Sequence, residues 1–472
     1  MADTALWQLS ASELLAGYAR RAFSPVEVVE AVFARIERLD PRLHAYLALN
    51  RDDALAAARV AEASWQAPGE KSLLRGVPVS VKDLIEVRGM PTTYGSLAFR
   101  DNYQEDAELV GRLRRAGAIV VGKTNTPEFG MLAGVRNRLG PDGRNPWHLE
   151  RTCGGSSGGA AAAVAAGLGP VALGTDSGGS VRLPAAYNGI FGFKPTYQRI
   201  PAVQQWRGSP TRSHNGTLSR TVRDSALLLQ ALAGPDRRDP NSDLGPPPDF
   251  LQFATGSVRG ARVAVSYDLG NIAEVPVPAR RAVEEAVALL HDLGCTTVEA
   301  NPPRLEVGER LESGIWAYAG DQYAGLEALR PGFLEKHADD LTDYARPMIE
   351  GGPHALAWQY RRILGRHQAY VAQVKEWFSA YDFLLTPGAG PAPPLGEVQA
   401  MGSGKGRLHV AFMVPFSMAQ TPAASVPFGF DPDGLPLAVQ IVGRHRDDVG
   451  VLRLAAAIEA ARPWGQHWPP LA

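Results

Sequence analysis

Cysteine is nearly absent: Cys153 and Cys295 are the only two in 472 residues, and no CxxC spacing occurs. That excludes a disulfide scaffold and a cysteine zinc site, and it fits a reducing, cytoplasmic setting. No HExxH is present, so no zinc-hydrolase motif stands out. Neither sign of charge is in excess, with 48 Lys and Arg against 49 Asp and Glu. No global field therefore favours nucleic acid or an anionic membrane, and the Arg112, Arg114, Arg115 cluster reads as a solvated helix face. Long apolar runs are missing too. The longest uncharged one, Ala160 to Gly174, is mostly Ala and Gly, contains Pro170 and is too short to span a bilayer. The opening MADTALWQLS has no basic region followed by an apolar stretch, which reads as no signal peptide. Internal repeats and long disordered tracts are also lacking.

What the chain has in quantity is glycine, 50 residues, much of it between Gly154 and Gly192. Around that segment, strands and helices alternate. Ser24-Pro25-Val26-Glu27 is a capping box with Pro at the first helical position; apolar residues then recur at helical spacing until Pro41, which is expected to end the helix. An Ala-rich helix follows at about 53–63. Residues 76–81 read as a strand with Lys82-Asp83 at its exit. Residues 106–116 read as a helix stopped by Gly117, and 118–121 as a strand. Ala160 to Ala166 is a small-residue helix, and Val171 to Leu173 a buried strand. Residues 261–300 form a βαβ pattern. The stretch from about 306 to 381 is helical and rich in Trp and Tyr; strands at 383–387 and 437–442 and a helix at about 448–460 complete the series. The predicted class is α/β, a large mixed sheet covered by helices on both faces.

Two conspicuous motifs do not withstand physical reading. Gly117 to Thr124 matches GxxxxGK[ST], the phosphate-binding loop, and a nucleotide-binding protein is the alternative it raises. Such a loop follows a strand and opens a helix, whereas here the four middle residues are themselves an apolar strand after a helix. Gly154 to Gly158 matches GxSxG, the nucleophile elbow, which needs a preceding strand and a later Asp/Glu and His. No strand-like run precedes Gly154, and none of the ten histidines sits in a telling context. Left over are two serines set among glycines, Ser156 and Ser180, where backbone must approach something closely or bend through positive φ.

At these residues the chain resembles the amidase signature hydrolases. The likeness runs from Cys153 through Gly159, from Gly174 through Ala186, and along Asn188 to Thr196. It extends to Gly76-Val77-Pro78 with Val81-Lys82-Asp83, to Gly122-Lys123-Thr124-Asn125, and to Asp433-Gly434-Leu435-Pro436 with Gln440 to Gly443. It spans essentially the whole chain except about 300–410. The resemblance implies a single domain over 1–472 in which the helical segment 306–381 shapes the substrate site. It implies a Ser–cis-Ser–Lys triad of Ser180, Ser156 and Lys82. It implies an oxyanion hole from the backbone of Ser177, Gly178, Gly179 and Ser180, and no cofactor or metal. Asp176 and Arg182 flank that loop and are expected to pair and hold it. By family position Gly130 and Met131 line the acyl side; Trp206, Trp316 and Tyr318 are candidate aromatic walls.

A serine hydroxyl needs a base, and a lysine can serve only when neutral, which burial promotes. Lys82 leaves an apolar strand, as burial requires. The reading is an amidase acting on C–N bonds of small neutral amides, anilides or carbamates (a urethanase among them), with esters accepted, since no fixed cation is evident to hold a substrate carboxylate. The protein is expected to be a monomer or homodimer with no nucleic-acid or membrane partner. The in-family alternative is the glutaminase subunit of a tRNA-dependent amidotransferase.

Overall fold

Alternation of apolar residues on both sides of a strand demands cover on both sides of the sheet, and the computed structural model supplies it. It describes residues 5–203, 205, 208–242, 245–305, 307–398 and 410–471, with backbone alone for 307–317. In chain order the strands are β1 (Tyr46–Leu49), β2 (Pro78–Lys82), β3 (Ile119–Thr124), β4 (Arg144–Asn145), β5 (His148–Thr152), β6 (Val171–Asp176) and β7 (Phe191–Lys194). They continue as β8 (His214–Ser219), β9 (Arg262–Val265), β10 (Thr296–Glu299), β11 (Phe383–Pro387), β12 (Ala423–Phe430) and β13 (Pro436–Gly443). Among the described residues eleven of them form one sheet, ordered β1-β3-β2-β6-β8-β7-β12-β13-β11-β9-β10. The flanks β3-β2-β6 and β11-β9-β10 are parallel, and the middle is antiparallel.

The two faces meet different cores. Val79, Val81, Val171, Leu173, Val263, Val265, Val439 and Ile441 join one continuous cluster with the helices Glu108–Arg115, Val222–Leu232, Val277–Asp292 and Asp448–Ala461. Residues one step out of phase, such as Ile119, Val121, Ala172 and Ala264, pack on the helices Pro25–Leu43, Gly158–Ala165 and Ala357–Trp377 on the other side. The expected α/β class with both faces covered is what the chain forms.

Three local expectations need correction. The capping box at Ser24 forms, but the helix runs through Pro41 to Leu43 and stops at His44, whose φ is 53°. A proline in the last turn removes one ladder bond, and the His44 N–H still reaches Asp40 O at 2.8 Å. The strand after Gly117 extends to Thr124, so Gly122, Lys123 and Thr124 pair with β1 and β2 instead of opening a helix. A strand does precede Gly154: β5 pairs with β4 in a separate two-stranded ribbon. Its residues are largely polar and partly exposed, so no apolar pattern announces it. Because that ribbon lies outside the large sheet, the turn at Ser156 is not an elbow at the end of a central strand.

Candidate active site

Strands β2 and β6 are parallel neighbours, with Val81 opposite Leu173, so Lys82 and the Thr175-Asp176 pair leave the sheet at one edge. The helix Gly158–Ala165 packs across them, all eight of its residues Gly, Ala or Val and all buried. Small side chains let it approach, and the turn before it, Ser156-Ser157, comes down on the end of β2. Lys82 Nζ lies 2.6 Å from Ser156 Oγ and 2.8 Å from Thr175 Oγ1. Lys82 is wholly buried. Burial pushes its pKa well below the usual lysine range, and the more distant Asp176 opposes this only in part. The Gly155–Ser156 peptide is cis.

Ser180 follows on the loop after β6 and is 5% exposed. Its carbonyl accepts the Ser157 N–H at 3.0 Å, which holds that loop against the turn bearing Ser156. Ser157 Oγ in turn donates to Thr175 O and accepts from Thr175 N, both at 3.2 Å. The three sequence-predicted residues Lys82, Ser156 and Ser180 thus come from three elements that are tied together at one sheet edge.

Asp176 and Arg182 pair as expected, and both are fully buried. Arg182 Nε reaches Asp176 Oδ2 and Nη2 reaches Oδ1, each at 2.9 Å, a fork-on-fork arrangement. Arg182 also donates to Gln440 Oε1 at 2.6 Å and to Ser417 Oγ at 2.7 Å. Burial would raise the Asp176 pKa, but Arg182, with help from Lys194 and His214, outweighs it and holds the carboxyl below the usual range. The same carboxylate accepts the N–H of Gly179 at 2.7 Å and of Val181 at 3.2 Å. Of the four expected oxyanion donors, Gly179 directs its N–H to Asp176 in this structure. The N–H groups of Ser177, Gly178 and Ser180 have no hydrogen-bond partner among the described residues. Gly179 is still needed as glycine: its φ is +119° and a Cβ would stand 2.8 Å from Met413.

Gly130, at φ +72°, faces Ser156, and a Cβ there would sit 3.2 Å from Ser156 Oγ. Met131 is buried in an apolar cluster with Leu84, Phe129 and Tyr318, the last of these from the helical segment. Trp206 and the side chain of Trp316 lie outside the described residues. Sequence reading misses Thr175, Ser157, Ser417 and Gln440. It also misses His214, whose Nδ1 faces the carbonyls of Asp176 at 3.1 Å and Arg212 at 2.7 Å behind the serine loop. Lys123, the lysine of the apparent phosphate loop, is buried in β3 with its Nζ 2.7 Å from Asp83.

A large mixed sheet with a buried lysine, two loop serines and an arginine-clamped aspartate defines a class, the serine amide hydrolases that use lysine in place of histidine. The Amidase family model matches residues 27–452, and the chain belongs to that family, the amidase signature enzymes. An acylamidase of Rhodococcus erythropolis is 36% identical over 99% of this chain and 98% of its own length. A glutamyl-tRNA(Gln) amidotransferase subunit of Halalkalibacterium halodurans is 35% identical over 94% of this chain and 95% of its own. Among solved structures, a bacterial aryl acylamidase of the amidase signature family superposes with TM-score 0.89 at 29% identity, covering 97% of both chains. A 6-aminohexanoate cyclic dimer hydrolase with bound substrate gives TM-score 0.89 at 28% identity, over 99% of this chain and 100% of that one. Among the described residues no helix is long and apolar enough to cross a membrane.

Proposed function

We propose that this enzyme cleaves anilides, other small carboxamides and carbamates, and also esters, through an acyl-enzyme on Ser180. The observation that carries the reading is Lys82, fully buried and held by two hydroxyls with no carboxylate in salt-bridge range among the described residues. Burial lowers the pKa of such a lysine, which favours the neutral amine, the form that can take a proton. Ser156 Oγ–H gives its proton to Lys82 Nζ, Ser156 Oγ takes the proton of Ser180, and Ser180 Oγ attacks the carbonyl carbon. The N–H groups of Ser177, Gly178 and Ser180 receive the oxyanion, each donor being worth about 3 kcal/mol of barrier. As the C–N bond breaks, the proton returns along the same relay to the departing amine. Water then attacks the acyl-enzyme by the reverse proton path. Asp176 and Arg182 fix the loop, Gly130 keeps space open beside Ser156, and the helical segment forms the apolar wall. The acylamidase relatives support the anilide part of this reading. A carbamate offers the same carbonyl–nitrogen bond with an oxygen on its other side.

The 35% likeness to an amidotransferase component is what favours a second reading, a glutaminase working within an assembly. One panel separates the two: para-nitroanilides, para-nitrophenyl esters, aryl carbamates and glutamine, assayed on wild type and Ser180→Ala. Turnover of anilides and carbamates by the isolated chain, abolished in Ser180→Ala, is the expected result. Ammonia release from glutamine alone, and only with added partner proteins, establishes the other reading.

A further inference from the structure

Beside the serine loop stands a guanidinium with almost nothing to bind. Arg212 is half-buried, two residues before His214 at the start of β8. Among the described residues its one side-chain hydrogen bond runs from Nη1 to the thioether sulfur of Met418 at 3.7 Å, and its carbon lies 4.9 Å above the ring centre of Tyr318. No carboxylate among the described residues is within salt-bridge range of it. The acceptors nearest it bond to other groups. Each oxygen of Asp321 accepts one hydrogen bond, from Ser209 Oγ at 3.0 Å and Tyr360 OH at 2.6 Å, and its charge reaches Arg212 without forming an ion pair. His367 donates its Nε2–H to Met418 O at 2.7 Å. A guanidinium carries five donors in a planar fork. Leaving them unmatched in a partly dry place is costly unless a ligand completes them.

Position ties this arginine to the reacting centre. Its neighbour Ser213 shares a hydrogen bond of 2.6 Å with Ser177 Oγ, at the head of the serine loop. Tyr318, under the guanidinium, belongs to the apolar cluster with Leu84 and Met131 that reaches Gly130 and Ser156. Met418 ends the short helix Val414–Met418, whose first turn borders Gly178 and Gly179. Of the two elements that flank Arg212, one borders the loop of Ser180 and the other joins the cluster beside Ser156.

We infer that Arg212 is a specificity-determining residue that receives a carboxylate on the substrate, a few bonds from the scissile carbonyl. This deepens the hydrolase reading above and rests on it. It also reverses the sequence-based expectation of a neutral substrate, which stood on the lack of a fixed cation. The aromatic face beneath and the planar fork suit a carboxylate reached by a short flexible spacer, and no new chemistry is required of the triad.

The test compares succinyl para-nitroanilide with its neutral counterpart butyryl para-nitroanilide on wild type, Arg212→Gln and Arg212→Lys. Wild type is expected to favour the succinyl anilide in kcat/KM by about 10- to 100-fold, the scale of a charge-assisted hydrogen bond. Arg212→Gln is expected to erase that preference, chiefly through KM, while butyryl turnover stays within about 3-fold; Arg212→Lys is expected to restore part of it. A second measurement needs no variant: succinate inhibits wild type competitively, and butyrate at the same concentration does so at least about 10-fold more weakly. Butyryl turnover with no succinyl preference overturns the inference while leaving the hydrolase reading intact. So does an equal loss on both substrates in a folded Arg212→Gln, or inhibition by succinate no stronger than by butyrate. Failure of wild type to cleave either anilide overturns both.

Discussion

Strands β2 and β3 lie side by side, and each carries a lysine near its C-terminal end, Lys82 and Lys123, equally buried. Their partners differ. Lys123 Nζ sits 2.7 Å from the Asp83 carboxylate and donates to Thr92 Oγ1 at 2.7 Å. Lys82 sits on the hydroxyls of Ser156 and Thr175. A carboxylate compensates a buried ammonium; two hydroxyls do so far less. Burial alone therefore does not make a base. The same side chain, one strand over, becomes a structural cation or a proton acceptor according to whether a carboxylate meets it. Asp83 is the next residue after Lys82, yet it turns to Lys123 and to Thr93, whose N–H it accepts at 3.0 Å. That choice leaves Lys82 free of a counter-ion.

Exchanging each lysine for methionine puts this contrast under the heaviest strain. Lys82→Met is expected to lower kcat by at least about 10³-fold, as loss of a triad member does, with an unfolding midpoint equal to or above wild type because a buried amine is replaced by an apolar side chain of similar size. Lys123→Met strands the Asp83 carboxylate and is expected to cost about 3–5 kcal/mol of stability, with activity per folded molecule within about 10-fold of wild type. Denaturant melts and active-site-titrated rates check both. Equal activity losses in the two variants would erase the distinction between them.

The pH dependence of Lys82 comes next in size. Only the neutral amine of Lys82 accepts a proton, so kcat/KM is expected to rise with pH through a pKa well below the ordinary lysine range and then to level off. A pH–rate profile checks this, and the residual activity of Lys82→Met should lack that limb. A profile still climbing at the normal lysine pKa would place the base elsewhere. Gly130→Ala tests how tightly the relay is walled in. Its Cβ would press on Ser156 Oγ from 3.2 Å, at a φ of +72° that costs a side chain about 1–2 kcal/mol. A fall of about 10-fold in kcat, smaller than either lysine effect on its own readout, is expected from the displaced hydroxyl.

How much of the site is legible in the sequence follows from distance along the chain. Lys82, Ser156 and Ser180 lie in dense local motifs, and the pair Asp176–Arg182 is six residues apart. The partners that lock the pair come from far away. Ser417 is 235 residues from Arg182 and Gln440 is 258, and no local pattern announces such closures. Thr175 is hidden differently. It sits inside the glycine-rich segment, but only the register of β2 on β6 turns its hydroxyl to Lys82. The strands β7, β8 and β12 escape notice because glycine, serine, threonine and proline interrupt their apolar alternation, and sheet pairing overrides those weak propensities. Gly179 is assigned to the oxyanion by its place in a motif. The Asp176 carboxylate also accepts that N–H in this structure, a contact set by side-chain geometry that the motif does not record. Arg212 carries no signal at all, since an unpaired guanidinium is defined by what does not surround it.

The mechanism requires that Ser180, activated through Ser156 and Lys82, become acylated. Mass spectrometry of the protein quenched during turnover of a para-nitrophenyl carbamate, followed by peptide mapping, looks for that bond itself. A mass increase equal to the carbamoyl group on the peptide holding Ser180, present in wild type and missing in Lys82→Met, is the expected result. An adduct on Ser156, or turnover without any covalent adduct on Ser180 under conditions that trap one, would contradict it.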